Sequence, residues 1–322
     1  MKLFVKQIFT SFLFLTISLG GCGDFEGNYE EVENSVSNTS PKMFIAVSDY
    51  LGPIVTSPDG TSWTTNTSRN LESSVYLRDV EYAYNIFVIV GNQGNILTSS
   101  DGISWNSRFS GTSNVITGVT SGERIFVAVG LNNGGSGTIL TSSDGISWTS
   151  RSSGTSNGLR GVNFVNNSFL AVGGNGTILT SSNGNSWNSK TSGSSNELWG
   201  VSYGNSTYVV VGHNGTILTS SNSNSWTSRT SGTSEGLNDV KHVENIFVSV
   251  GSNGTIITSS DGVSWTQRSS GTSNSLFAVT YGNRMFVVVG SSGTILTSSD
   301  GISWTQRSSG TSVGLLGVTY AE

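Results

Sequence analysis

Seven tryptophans, Trp63, Trp105, Trp148, Trp187, Trp226, Trp265 and Trp304, are separated by 42, 43, 39, 39, 39 and 39 residues in a chain of 322. The chain is therefore one unit copied seven times. A supersecondary unit of this size cannot bury its own faces and must pack against its neighbours, so the repeat constrains the architecture before any single residue does.

One complete copy, residues 198–234, breaks at Gly and Asn turn signals into four short runs rich in β-branched and aromatic residues, at 201–203, 208–211, 216–219 and 226–229. No segment has a helical period. In five copies the third joint is Asp-Gly, at Asp59, Asp101, Asp144, Asp261 and Asp300, where glycine can take a positive φ without steric cost. Four strands repeated radially imply an all-β fold, a seven-bladed β-propeller of four-stranded antiparallel blades. The first copy starts at Phe44 without a first strand, and the chain finishes with a first strand alone, residues 315–322. Pairing that C-terminal strand with the N-terminal blade closes the ring and removes two open sheet edges. Each tryptophan is expected to be the large apolar filler of one blade interface. At roughly 150 to 250 Å² buried and about 25 cal/mol per Å², that is worth at most about 4 to 6 kcal/mol.

The N-terminus reads differently. Lys2 and Lys6 precede an apolar stretch, residues 8–19, which ends in Leu19-Gly20-Gly21-Cys22. Its length and its Thr and Ser residues suit an export signal better than a membrane span. LGGC resembles the lipobox of bacterial lipoproteins, which implies acylation at Cys22, the sole cysteine of the chain. The expected organisation is a signal peptide at 1–21, an acidic flexible tether at 22–42 and the propeller at 43–322. From Lys42 onward there are 13 basic and 15 acidic residues, a balance that gives no electrostatic footprint for nucleic acid.

The hairpin SSDGISW, residues 99–105, and its copies at 142–148 and 298–304 resemble the Asp-box of BNR-repeat propellers, a superfamily that includes sialidases, carbohydrate-binding propellers and photosystem II assembly factors with seven blades. The resemblance covers 43–322 and implies the fold without choosing a chemistry. Two copies, SSNGNSW at 181–187 and SSNSNSW at 220–226, carry Asn for Asp, so the box reads as a turn device. A basic residue follows six of the tryptophans at the third place, Arg108, Arg151, Lys190, Arg229, Arg268 and Arg307. On an outer edge strand such charges discourage strand addition.

Function should sit where copies disagree. One position in the loop entering the first strand reads Arg78, Thr117, Arg160, Trp199, Asn238, Phe277 and Leu316, and in a propeller these side chains would rim the channel mouth. Trp199 is the one tryptophan outside the repeat position, and its blade adds Glu197 and His213, a stacking surface with polar neighbours. Arg78, Arg160, Glu197, Trp199, His213, Asn238 and Phe277 are the candidate ligand-binding residues, with a protein or glycan as the ligand. His242 stands where sister copies have Phe164, Tyr203 and Tyr281 and is expected to pack. The enlarged loop at 131–137 is a candidate for an asymmetric contact.

Two isolated His residues without carboxylates at ligand spacing make no metal site, and no cofactor or catalytic residue is expected. The sequence thus points to a monomeric lipoprotein anchored to the bacterial cell envelope, in the outer membrane or at the cell surface, whose propeller is a non-catalytic binding or assembly module. Two other readings stand beside it. A sialidase-like glycoside hydrolase would need an arginine cluster for a carboxylate, an activated nucleophile and a nearby acid, and Asp79 and Asp239 are the carboxylates to inspect; a purely structural envelope protein would need none of these.

Overall fold

The computed structural model describes residues 41–49, 53–66, 76–132 and 134–322. The expected signal peptide, Cys22 and nearly all of the tether lie outside the described residues. Among the described residues no helix is long and apolar enough to cross a membrane.

Seven four-stranded antiparallel sheets follow one another. In blade 2 the strands run Leu77–Ala83, Ile86–Gly91, Ile96–Ser99 and Asn106–Arg108 from the axis outward; in blade 5 they are Leu198–Gly204, Thr207–Gly212, Thr216–Ser220 and Thr227–Arg229. The inner strands are longer than the sequence pattern suggests: in blade 5 Leu198 and Gly204 at the two ends still pair, with Gly212 and Thr207. Blade 1 takes its inner strand, Leu315–Ala321, from the C-terminus. It pairs with Met43–Ser48 from Met43↔Ala321 to Ser48↔Leu315, so the ring is closed as the two half-units require.

Different turns build the two ends of the ring. Inner and second strands are joined by two-residue turns in which both residues have positive φ, as at Tyr84 and Asn85 (53° and 62°) and at Asn166 and Asn167 (47° and 59°). This is the mirror-image turn whose twist matches a hairpin. Second and third strands are joined in five blades by single 3-10 turns such as His213–Gly215. In blade 3 the longer loop is closed instead by Asn132, whose Oδ1 accepts from the N–H groups of Gly134 and Ser136, both at 2.9 Å.

The Asp-Gly joints are not two-residue hairpins. In blade 7 the Asp300 Oδ1 accepts from Ser298 Oγ at 2.9 Å and from the N–H groups of Ile302 and Ser303 at 2.8 Å each, while Gly301 turns with φ 71°. These backbone donors, with the Ser298 hydroxyl, hold the Asp300 carboxyl down at about 2, against a small opposing effect of burial. Blades 4 and 5 reproduce the turn with an amide oxygen: Asn183 Oδ1 accepts from Asn185 and Ser186, and Asn222 Oδ1 from Asn224 and Ser225, at 2.9 and 3.1 Å in both. The acceptor atom is what the turn requires, and the charge is not.

Seven hydrophobic clusters fill the seven interfaces between adjacent blades. Their fully buried fillers are second-strand aromatics, Phe44, Phe87, Phe126, Phe169, Phe247 and Phe286, with Tyr208 in blade 5. The recurring tryptophans are only half-buried, and each covers its blade's filler with ring centroids 6.2 to 6.5 Å apart. The expectation that tryptophan is the interface filler is therefore corrected. Four of the indoles are also turn anchors, donating from Nε1 to the glycine carbonyl three residues back, as Trp187 does to Gly184 at 2.9 Å.

His242 packs as expected. Its ring lies 4.4 Å from that of Phe247 and against Gly204 of the preceding blade, where an added Cβ would fall 2.0 Å from the imidazole; burial depresses its pKa. On the outer strands the Nε of Arg108, Arg151, Arg229, Arg268 and Arg307 donates to a threonine hydroxyl of the third strand at 2.8 to 2.9 Å. Each of these five guanidinium groups is thus held on its own blade.

Candidate functional site

Every inner strand carries a β-bulge at the variable position. In blade 2, Leu77 pairs with Gly91 and Asp79 with Val90, so Arg78 is left unopposed; the same one-residue shift isolates Thr117, Arg160, Trp199, Asn238, Phe277 and Leu316. A bulge re-aims the side chain of its extra residue. These residues therefore sit inside the strand rather than in the loop before it, and all seven line one cavity of about 150 Å³ at the axis. Glu197 and His213 lie just outside it and support two of its walls.

The walls are held by local bonds. Arg160 Nε donates to Glu197 Oε1 at 2.7 Å, the one ion pair among the described residues. Arg78 Nε donates to Asn92 Oδ1 at 2.9 Å, and Asn238 Nδ2 to the Leu276 carbonyl of the next blade at 2.7 Å. Thr117 Oγ1 reaches the carbonyls of Val129 and Leu159 at 3.2 and 3.0 Å. Trp199 leans on His213 with ring centroids 5.7 Å apart and covers Gly236, where a Cβ would meet the indole at 2.8 Å. Cationic and hydroxyl groups thus occupy blades 2 to 4, and apolar groups occupy blades 5, 7 and 1.

Beneath the mouth lies a second cavity of about 120 Å³, lined by Asp79, Glu81, Asn163, Asp239 and Lys241 with the threonines of neighbouring inner strands. Asp79 Oδ1 accepts from Val80 N at 2.8 Å and its Oδ2 from Val119 N of blade 3 at 2.9 Å. Asp239 does the same for Val240 N, 2.7 Å, and Val279 N of blade 7, 2.9 Å. Each carboxylate staples two blades together. Burial pushes Asp79 up to about 7 against these two donors, with the charges of Glu81 and Asp239 adding to the rise. Asp239 is pushed up to about 6 by burial, opposed by its donors and by Lys241. Glu81, which accepts from Ser121 Oγ at 2.7 Å, is also raised by burial.

Glu81 and Lys241 are not among the residues that copy-to-copy variation singles out above. The signal is nonetheless present: the residue three places after each bulge position is polar in all seven copies, Glu81, Thr120, Asn163, Ser202, Lys241, Thr280 and Thr319, and is charged in the two copies that carry Asp79 and Asp239. Among the described residues no group of three His, Cys, Asp or Glu side chains could hold a metal ion.

At about 150 Å³, the mouth cavity is well under the ~300 Å³ lower bound of ordinary small-molecule sites. A larger partner would therefore lie across the mouth and insert one group. Among the described residues, those of the enlarged loop of blade 3 contribute nothing to the cavity lining.

Fold and site together define a seven-bladed propeller with a polar and aromatic axial mouth. Among solved structures, YCF48 from Cyanidioschyzon merolae is 18% identical, with a TM-score of 0.57, over 74% of this chain and 87% of that one. A structure of YCF48 bound to D1 peptide is 16% identical, with a TM-score of 0.57, over 84% of this chain and 85% of that one. The computationally designed Ika8 protein is 13% identical, with a TM-score of 0.61, over 88% and 92%. At these identities the likeness is one of fold. No family model matches the sequence, and no curated protein does.

Proposed function

We propose that this chain is a non-catalytic binding or assembly module, held on the bacterial cell envelope by a lipid at Cys22, whose channel mouth takes a segment of a protein partner. The observation that carries the reading is the sevenfold bulge: an identical backbone device in every blade aims one of six residue types at the same small cavity. A scaffold that varies at every one of these seven aligned positions presents one chemically mixed surface. A propeller of the same fold, YCF48, has been solved bound to a peptide, which supports a peptide as the ligand. Support for a non-catalytic role comes from the acids and the arginines. Asp79 and Asp239 accept backbone N–H groups on both oxygens, and of the two rim arginines Arg160 is already paired with Glu197. A sialidase-type site needs arginines free to bind a carboxylate and an acid free to move a proton.

The test is capture of envelope proteins and glycans by the full chain, compared with the variant Arg160→Ala, Trp199→Ala, His213→Ala. Protein capture lost in a folded variant supports the reading. Glycan capture in its place, undiminished protein capture, or turnover of a glycoside would each sink it. Membrane partitioning abolished by Cys22→Ser supports the anchor, and unchanged partitioning removes it.

A further inference from the structure

The end of the propeller opposite the mouth carries the inner-strand turns and the Asp-box turns together, as the bond from Asn205 Nδ2 to the Ser260 carbonyl of the next blade shows, 2.8 Å. Six large apolar side chains are exposed among the described residues: Tyr84 (49%), Ile103 (59%), Phe109 (87%), Ile146 (43%), Val263 (40%) and Ile302 (43%). All but Phe109 belong to turns at this end.

Their distribution around the ring is uneven. Tyr84 and Ile103 are on blade 2, Ile146 on blade 3, Val263 on blade 6 and Ile302 on blade 7. At the box position blades 4 and 5 have Asn185 and Asn224, and their inner turns are Asn166-Asn167 and Asn205-Ser206. Blade 1, with Thr61, lies midway between blades 7 and 2, so the apolar arc is centred on it and the polar arc faces it across the ring. Blade 1 is also where the chain enters: Met43 pairs with Ala321 at this end, and its Sδ lies 3.0 Å from where a Cβ would stand on Gly102 of the blade 2 box. The 42 residues before Met43 are therefore joined to the propeller at the middle of the apolar arc.

We propose that this arc is a lipid-contacting surface, on which the propeller rests against a bilayer with blades 6, 7, 1, 2 and 3 while its channel mouth points away from the membrane. The choice of a lipid as occupant rests on the reading above of Cys22 as the anchor; the one-sided placement of the apolar side chains does not. Five exposed aliphatic and tyrosine side chains confined to one end of the ring, with blades 4 and 5 polar there, give that end an apolar side, and the junction at its middle of an N-terminal chain read as lipid-anchored selects a lipid surface as the occupant. Charge selects the lipid. Asp59, Asp101, Asp144, Asp261 and Asp300 are held ionised by backbone donors and, with Glu123 and Glu244, outnumber Lys42, Arg124 and Arg284 at this end. Zwitterionic headgroups are favoured over anionic ones. A partner bound at the mouth would then approach from the side away from the anchoring membrane.

The full chain coupled through the Cys22 thiol to a maleimide lipid in phosphatidylcholine vesicles tests this without depending on cellular acylation. Dyes on azide-bearing residues replacing Asn283 at the apolar end and Ser292 at the mouth end of blade 7 report energy transfer to an acceptor in the bilayer. Transfer should be several-fold stronger from position 283, and this bias should collapse in the variant Ile103→Ser, Ile146→Ser, Val263→Ser, Ile302→Ser. Equal transfer from both positions, stronger transfer from 292, or a bias that survives the four substitutions overturns the proposal. Acyl incorporation at Cys22 in cells, measured separately, decides the native anchor alone.

Discussion

The two ends of this propeller use the same repeat in opposite ways. At the Asp-box end the side chains serve the backbone: a serine hydroxyl and an Asp or Asn oxygen satisfy turn N–H groups in every blade, and where Asp became Asn the bonds were kept. At the mouth the backbone serves the side chains, since one bulge recurs seven times and its residue is free to be Arg, Trp, Asn, Phe, Thr or Leu. A position released from pairing can vary without loss of fold, and a position that accepts backbone hydrogens cannot.

The largest expected effect lies in the interfaces between the two ends. Phe169→Ala should cost about 3 to 5 kcal/mol in denaturant unfolding, the usual range for emptying a buried aromatic site, whereas Trp187→Ala, half-buried over that ring, should cost about half as much. Equal losses would restore tryptophan as the interface filler.

Next come the two carboxylates that break the rule by serving the backbone at the mouth end. A carboxyl raised in the folded state keeps its proton after the unfolded chain has lost it, so its stabilising contribution is present in full below the unfolded value of 3.8. It is lost as pH rises to about 7 for Asp79 and about 6 for Asp239. Melting temperature should fall across that window, and the variant Asp79→Gly, Asp239→Gly, which restores the residue most sister blades carry, should flatten the fall. A slope left intact would mean that these acids do not titrate in the channel.

Smaller gains are expected where a turn tolerates poor residues. Glu123 and Arg124 hold positive φ values of 47° and 62°, which cost roughly 1 kcal/mol each for such side chains. Glu123→Asn with Arg124→Gly should raise stability by about 1 kcal/mol in urea melts, and a loss would show that these side chains make compensating contacts.

The smallest effect should come from Asp300→Asn, within about 0.5 kcal/mol at neutral pH because the oxygen acceptor remains. Its signature is at low pH. The depressed Asp300 carboxyl contributes stability above its ordinary 3.8 that disappears as pH falls to about 2, so the Asn variant should lose less in that window than the parent. A neutral-pH loss well beyond that limit would show that charge matters to the turn.

The sequence by itself determined the blade count, the closure by the last strand and the identity of the seven rim positions, because period, half-units and copy-to-copy variation are properties of the string. It could not show that Phe169 rather than Trp187 fills an interface, since both are large, apolar and periodic, and only the packing of one blade on the next decides which is sealed. Nor could it join Asp79 to Val119 or Asp239 to Val279, bonds that span 40 residues and arise from the close approach of inner strands around the axis. The same closure turned a half-blade at the N-terminus into the centre of an apolar arc. Contacts of that kind are set by the curvature of the ring, which no single repeat contains.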